Sequence, residues 1–246
     1  MKNLILAVMV SLAFTACKKV SKEPVAVQED SMEVEVAKEW VSLFDGESLN
    51  GWHLYNKPEV DNPWKVEEGL LVFPGREKGS KPEFNLVTDK EYTDFVLSLE
   101  WKISEGGNSG IMWAVIEDLK YEHPYDTGPE IQVLDNERHP DALANPKFHQ
   151  AGALYDMVQP MYDVCKPAGE WNLCEIEINY QTNHGHVTLN GTEIVSFPLH
   201  GAAWDDMVAN SKFKDWEGFG KSKTGRICLQ DHNDMVSFKN IKIREL

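Results

Sequence analysis

His186-Val187-Thr188-Leu189-Asn190-Gly191-Thr192-Glu193-Ile194-Val195 decides the fold class. Apolar and polar residues alternate on both sides of Asn190-Gly191, so each run offers one face to a core. Asn-Gly is the pair that a two-residue type I′ turn demands, because both central residues need positive φ. The same pattern recurs outward in both directions. Trp64-Lys65-Val66-Glu67 and Leu70-Leu71-Val72-Phe73 flank Glu68-Gly69 as a second hairpin. Trp40 to Phe44 reads as a strand closed by Asp45-Gly46, and Phe95 to Ile103 alternates after its first positions. Ile111 to Val115 follows the glycine-rich turn Glu105-Gly106-Gly107-Asn108-Ser109-Gly110. Trp171 to Ile178, Arg226 to Gln230 and Val236 to Ile243 complete the set. Asp205 to Trp216 is the one plausible helix. Many short strands with one short helix predict an all-β protein, a β-sandwich or jelly roll.

The N-terminus reads separately. Met1-Lys2-Asn3 precedes an apolar run from Leu4 to Ala13, a secretory signal too short to span a bilayer. Phe14-Thr15-Ala16-Cys17 resembles a bacterial lipobox, which implies a signal peptide over 1–16, cleavage before Cys17 and lipidation of Cys17. A plain signal peptide with an incidental Cys is the alternative. Residues 17–38 lack aromatic residues and read as a flexible tether. Residues 39–246 form the domain. The expected location is outside the cytoplasm, periplasmic or anchored at the outer membrane, with the membrane met by the lipid anchor only.

A formal charge of −16 argues against nucleic acid as a partner, since phosphate binding needs a basic surface. The 8 Trp, 7 Tyr and 10 Phe are compatible with carbohydrate binding without being evidence for it. Cys165 and Cys174 could meet across a loop, but inert buried thiols at Cys174 and Cys228 are the favoured reading.

The chemistry centres on Gly128-Pro129-Glu130-Ile131-Gln132-Val133-Leu134-Asp135-Asn136. On a strand, Glu130 and Gln132 share a face while Ile131 and Val133 point into the core. A bulge near Leu134 would return Asp135 to the polar face. A polar row there needs a ligand, a metal or a network; an exposed edge strand is the plain alternative. Further candidates are Asn108 and Ser109 in the glycine-rich turn, His149 and Tyr155 in a long loop from 137 to 164, and Gln230 with His232 at a strand end. His232 is the best-placed histidine for proton transfer. Trp113, Trp216 and Tyr162 could stack on a sugar ring. Glu130, Asp135, His149 and His232 could meet around a hard divalent cation. No nucleophile elbow, phosphate loop or dinucleotide fingerprint is present.

Several motifs, in order, resemble one family. They are Leu43-Phe44-Asp45-Gly46 with Leu49-Asn50-Gly51-Trp52, Gly107-Asn108-Ser109-Gly110-Ile111, Gly128 to Asp135, Gly152-Ala153-Leu154-Tyr155, Leu189-Asn190-Gly191, Gly225 to His232 and Phe238 to Ile243. Together they are similar to the 3-keto-disaccharide hydrolase family. One departure is Trp113-Ala114, where the family often has an apolar pair and Arg. The resemblance implies a concanavalin A-like jelly roll, exported and often lipid-anchored, that cleaves glycosides oxidised to a ketone at C3. Its substrate would be an oxidised glycoside or oligosaccharide. The ketone acidifies the proton on C2; a base removes it, the enolate expels the group at C1, and water adds to the enone. Glu130 or His232 could be the base, with His232 favoured. Asp135 and Gln132 would orient the partner or the sugar hydroxyls, and a divalent ion could hold the C2 and C3 oxygens. Two other readings stay open: a two-carboxylate glycoside hydrolase of the glucanase type, and a non-catalytic lectin-like module.

Overall fold

Alternation of apolar side chains builds two antiparallel sheets with a shared core. The computed structural model describes residues 38–144 and 147–246; the signal peptide, Cys17 and all but the last residue of the tether lie outside the described residues. The strands are β1 (Val41–Ser42), β2 (Trp52–Leu54), β3 (Lys65–Glu67), β4 (Leu70–Phe73), β5 (Leu86–Tyr92), β6 (Phe95–Ile103) and β7 (Asn108–Val115). They continue with β8 (Glu130–Leu134), β9 (Asn172–Asn179), β10 (His184–Leu189), β11 (Thr192–Phe197), β12 (Gly225–Leu229) and β13 (Val236–Glu245). One sheet runs β11-β10-β9-β6-β13-β4-β3 with β1 also paired to β13, and the other runs β2-β5-β12-β7-β8. Such crossed connections between two packed sheets make a concanavalin A-like jelly-roll sandwich.

Both hairpin turns form as their chemistry requires. Glu68 and Gly69 have φ of 52° and 78°, and Asn190 and Gly191 have 50° and 82°. The first strand is shorter than the expected Trp40–Phe44 and keeps only Val41–Ser42. The helix differs more: α2 spans Ala202–Ala209, and the residues to Trp216 leave it for a series of turns. A shorter helix, α1 (Pro140–Ala144), lies in the long loop.

The two sheets differ in how they meet solvent. In β9 and β10 buried positions alternate with more accessible ones, so one face is core and the other is open. In β7 and β8 every residue is buried. The inter-sheet face of those strands carries Ile111, Trp113, Ile131 and Val133 in the main core. The other face is covered by loops, and polar residues on it are therefore withdrawn from bulk water.

Cys165, Cys174 and Cys228 are all thiols. Burial pushes Cys165 and Cys174 up to about 12, which keeps them protonated and inert.

Phe238 is fully buried, 6.2 Å from the Trp64 ring. Phe238→Ala is expected to cost about 3–5 kcal/mol of stability, read as a lowered urea midpoint with unchanged slope.

Candidate active site

Strand parity on the covered face places the polar residues. Asn108 and Gly110 of β7, Glu130 and Gln132 of β8, and Gln230 just beyond β12 all sit on the face turned away from the core. The pairing of β7 with β8 is regular, from Asn108 opposite Leu134 to Met112 opposite Glu130. On the outer edge of β8, the N–H of Tyr155 donates to the Glu130 carbonyl (3.0 Å) and that of Gln132 to the Ala153 carbonyl (3.1 Å). The loop carrying Tyr155 thus seals the edge of β8.

These strands floor a hollow of about 240 Å³. Its walls include Tyr125, Tyr155, Phe213 and Trp216, with Lys212 reaching in and His232 at the rim. The turn bearing Lys212 is fixed at two points. The Lys212 N–H donates to Asp156 Oδ2 at 2.7 Å. The Phe213 ring stacks on Phe219 at 3.9 Å, and Phe219 stacks on Trp204 of α2.

Glu130 is the most perturbed carboxyl in the hollow. It is 8 % exposed, and burial pushes its carboxyl up to about 8, against the pull of the Lys212 charge. Gly110 exists to make room for it, because a Cβ there would lie 2.1 Å from Glu130 Oε1. Lys212 in turn is lowered by burial, an effect that the facing Glu130 offsets only in part. Its ammonium sits 4.0 Å over the Tyr155 ring. Burial raises the Tyr155 and Tyr125 phenols, so both stay protonated donors. Tyr155 Oη donates to Asp141 Oδ2 at 3.0 Å. Glu83, on the same wall, is raised by burial, but Lys81 and His123 outweigh that and hold it below its ordinary value. The side-chain oxygens of Asn108 and Gln230 are buried without a hydrogen-bond partner. Sugar hydroxyls are suitable donors for such acceptors.

Of the sequence candidates, Glu130, Gln132, Asn108, Tyr155, Gln230 and His232 line this one hollow, and so does Trp216. The others do not. Asp135 is not returned to the polar face, since no bulge interrupts β8. Its carboxylate accepts from the N–H of Gly106 (2.8 Å) and Glu137 (3.0 Å) and pairs with Arg138. Burial raises it, but those donors outweigh the effect and hold it below its usual value. It clasps two turns and does not line this hollow. Ser109 is on the core face, where its Oγ donates to the Gln230 carbonyl at 2.8 Å. Trp113 is also on the core face, stacked on Phe197 at 5.8 Å. His149 stands behind the wall. It stacks on Tyr155 at 4.4 Å, with Nε2 3.0 Å from Asp156 Oδ1 and Nδ1 3.2 Å from Asp141 Oδ1 without hydrogen-bond alignment. Tyr162 is exposed and away from the hollow. Glu130, Asp135, His149 and His232 therefore do not converge on a single point where an ion could bind all four.

Lys212, Tyr125 and Glu83 were not signalled by any motif. Lys212 lies in a stretch that reads as helix, and only the early end of α2 turns it toward Glu130.

Comparison with known proteins agrees with this architecture. Residues 39–244 match the 3-keto-alpha-glucoside-1,2-lyase-like domain. The chain belongs to this family. A 3-keto-disaccharide hydrolase of Bacteroides thetaiotaomicron is 34 % identical over 92 % of this chain and 85 % of that one. A Parabacteroides distasonis protein, described as a candidate glycosyl hydrolase, has a crystal structure with 32 % identity and a TM-score of 0.76. It covers 84 % of this chain and 94 % of its own. A second structure from that organism, of the same description, has 26 % identity and a TM-score of 0.60, over 85 % of this chain and 100 % of its own. The family and these likenesses support a hydrolase-type activity on carbohydrate for this 3-keto-alpha-glucoside-1,2-lyase-like domain.

Two outcomes are expected from the geometry. Gly110→Ala keeps the fold, because its backbone is not in the left-handed region, but displaces the Glu130 carboxyl; turnover should fall about 10²-fold. The second concerns stability. The unfolded chain releases the Glu130 proton near 4.5 and the folded chain near 8, so the folded state binds more protons in that window and stability falls as pH rises through it. Glu130→Gln removes that dependence. It should stabilise the protein by about 4 kcal/mol at pH 8 and change little at pH 4, measured by urea unfolding at both pH values.

Proposed function

We propose that the protein cleaves glycosides that carry a ketone at C3 of the sugar, with Glu130 as the base that takes the C2 proton. The observation that supports this reading most is a buried carboxyl, poised near neutral pH, facing an ammonium group inside a sugar-sized hollow. A general base works best when its pKa lies near the working pH. An enolate needs a positive group at its oxygen. Glu130 and Lys212 answer those two requirements.

The steps follow from the chemistry of the ketone. Glu130 accepts the C2 proton, and the electron pair of that C–H bond forms the enolate with its charge on the C3 oxygen. Lys212 holds that oxygen. The enolate returns its electrons, re-forms the ketone and breaks the bond from C1 to the departing oxygen. His232, at the rim where the leaving group sits, donates the proton that oxygen needs. Water then adds across the C1–C2 double bond and yields the free 3-keto sugar. His232 is favoured as base on sequence grounds, but its exposed rim position suits the leaving group and the floor position of Glu130 suits the ring carbon. Asn108 and Gln230 accept hydroxyls, and Trp216 offers a ring face to the sugar. The two-carboxylate alternative loses Asp135, which is occupied elsewhere, and would have to use Glu83 on the wall of the hollow instead. Export and lipid anchoring through Cys17 complete the proposal.

The test is incubation with a 3-keto-glucoside and its unoxidised parent in D₂O. Release from the ketone alone, with deuterium entering C2, is the expected result. Glu130→Gln should lower both release and exchange about 10²–10⁴-fold. His232→Ala should keep the exchange and slow the release. Wild-type turnover should climb with pH through the region near 8, as Glu130 loses its proton. Release from the parent sugar would overturn the reading in favour of direct glycoside hydrolysis, and release from neither would favour a lectin.

A further inference from the structure

The open face of the larger sheet carries a second constellation, across the sandwich from the hollow. Val187 and Leu189 of β10 and Ile176 and Ile178 of β9 point into the core. Period two then sends His184, His186 and Glu177 to the outer face. His184 and His186 are two residues apart on one strand, and Glu177 is directly opposite His186 in the antiparallel register. One ligand-capable atom from each of the three lies within 4.8 Å of the other two. The imidazole rings are 5.3 Å apart.

Three details set this cluster apart from an ordinary polar surface. Nδ1 of His186 is shut off from solvent and has no hydrogen-bond partner, an unusual state for a buried polar atom. The backbone between the two histidines is also rigidly seated. Gly185 lies against Phe197, and a Cβ there would come within 2.4 Å of that ring. Ser196 Oγ contacts His184 Nε2 at 3.0 Å and steadies that ring, as outer partners of ligating imidazoles do.

We propose that Glu177, His184 and His186 form a binding site for a divalent transition-metal ion of the zinc class. Two imidazoles and a carboxylate are a donor set that zinc accepts, with the remaining position left to water or to a ligand from another molecule. Imidazole nitrogen disfavours calcium and magnesium, which take oxygen. The chain's net charge of −16 also favours cation approach. The three ligands come from adjacent strands of one sheet, so the ion adds little to the fold. Its place outside the hollow makes it independent of sugar cleavage.

Isothermal titration of the full chain with zinc chloride tests the site. One ion per chain is expected, calcium should give no binding, and His184→Ala, His186→Ala and Glu177→Gln should each weaken zinc at least tenfold. His184 is exposed, so His184→Ala keeps the fold, checked by circular dichroism. Glu130→Gln should bind zinc as the wild type does, and the three surface variants should cleave sugar as the wild type does. Absence of zinc binding at millimolar concentration would overturn the proposal. So would an unchanged isotherm in His184→Ala and His186→Ala, or loss of binding in Glu130→Gln.

Discussion

Glu130 lies on a strand whose two faces are both covered, and its carboxyl has to be accommodated without bulk water. A charged carboxylate in such a place is costly, so the group holds its proton to about pH 8. The surroundings are arranged around that cost. Gly110 gives up its side chain to leave space. Among the described residues, Lys212 supplies the positive charge that lowers the penalty, and it is itself partly desolvated by the lid of loops that carry Tyr155 and Lys212. Without the lid, water would reach Glu130, and both groups would return toward ordinary solution behaviour.

That lid is held by contacts distant in sequence. Asp156 receives the Lys212 N–H, Asp156 also holds His149, and His149 stacks on Tyr155. Asp141 accepts from Tyr155 and stands beside His149. The wall is therefore a linked set in which several acidic groups position aromatic and basic ones without entering the hollow. Asp231, which lines the hollow, holds the other side. Its fully buried side chain pairs with Arg76 at 2.6 Å and accepts the Phe84 N–H, and it anchors the chain just before His232. Part of the protein's acidity thus serves to hold loops over the sheet rather than to react.

The sandwich was legible because its signals are local. Asn190-Gly191 and Glu68-Gly69 need no partner elsewhere to form turns, and period-two alternation shows which side of each strand is apolar. Glu130 and Gln132 were legible for the same reason. Strand parity also separates Asn108 from Ser109 and Trp113, once β7 is known to begin at Asn108. Ser109 and Trp113 look like site residues only while Asn108-Ser109 is read as turn. Asp135 misleads because β8 ends at Leu134, and the chain there turns back toward Gly106 with no bulge.

By itself the sequence determined the two-sheet architecture, its hairpins and the pairing of Glu130 with Gln132 on one face, since these depend on neighbours one to four positions apart. Only the tertiary structure decided that Lys212 faces Glu130, that Asp135 is absorbed by a turn, and that two histidines and a glutamate meet on the far side. Those placements depend on where α2 ends, on hydrogen bonds between loops and on strand register. Each is set by the packing of segments far apart along the chain, which carries no local pattern.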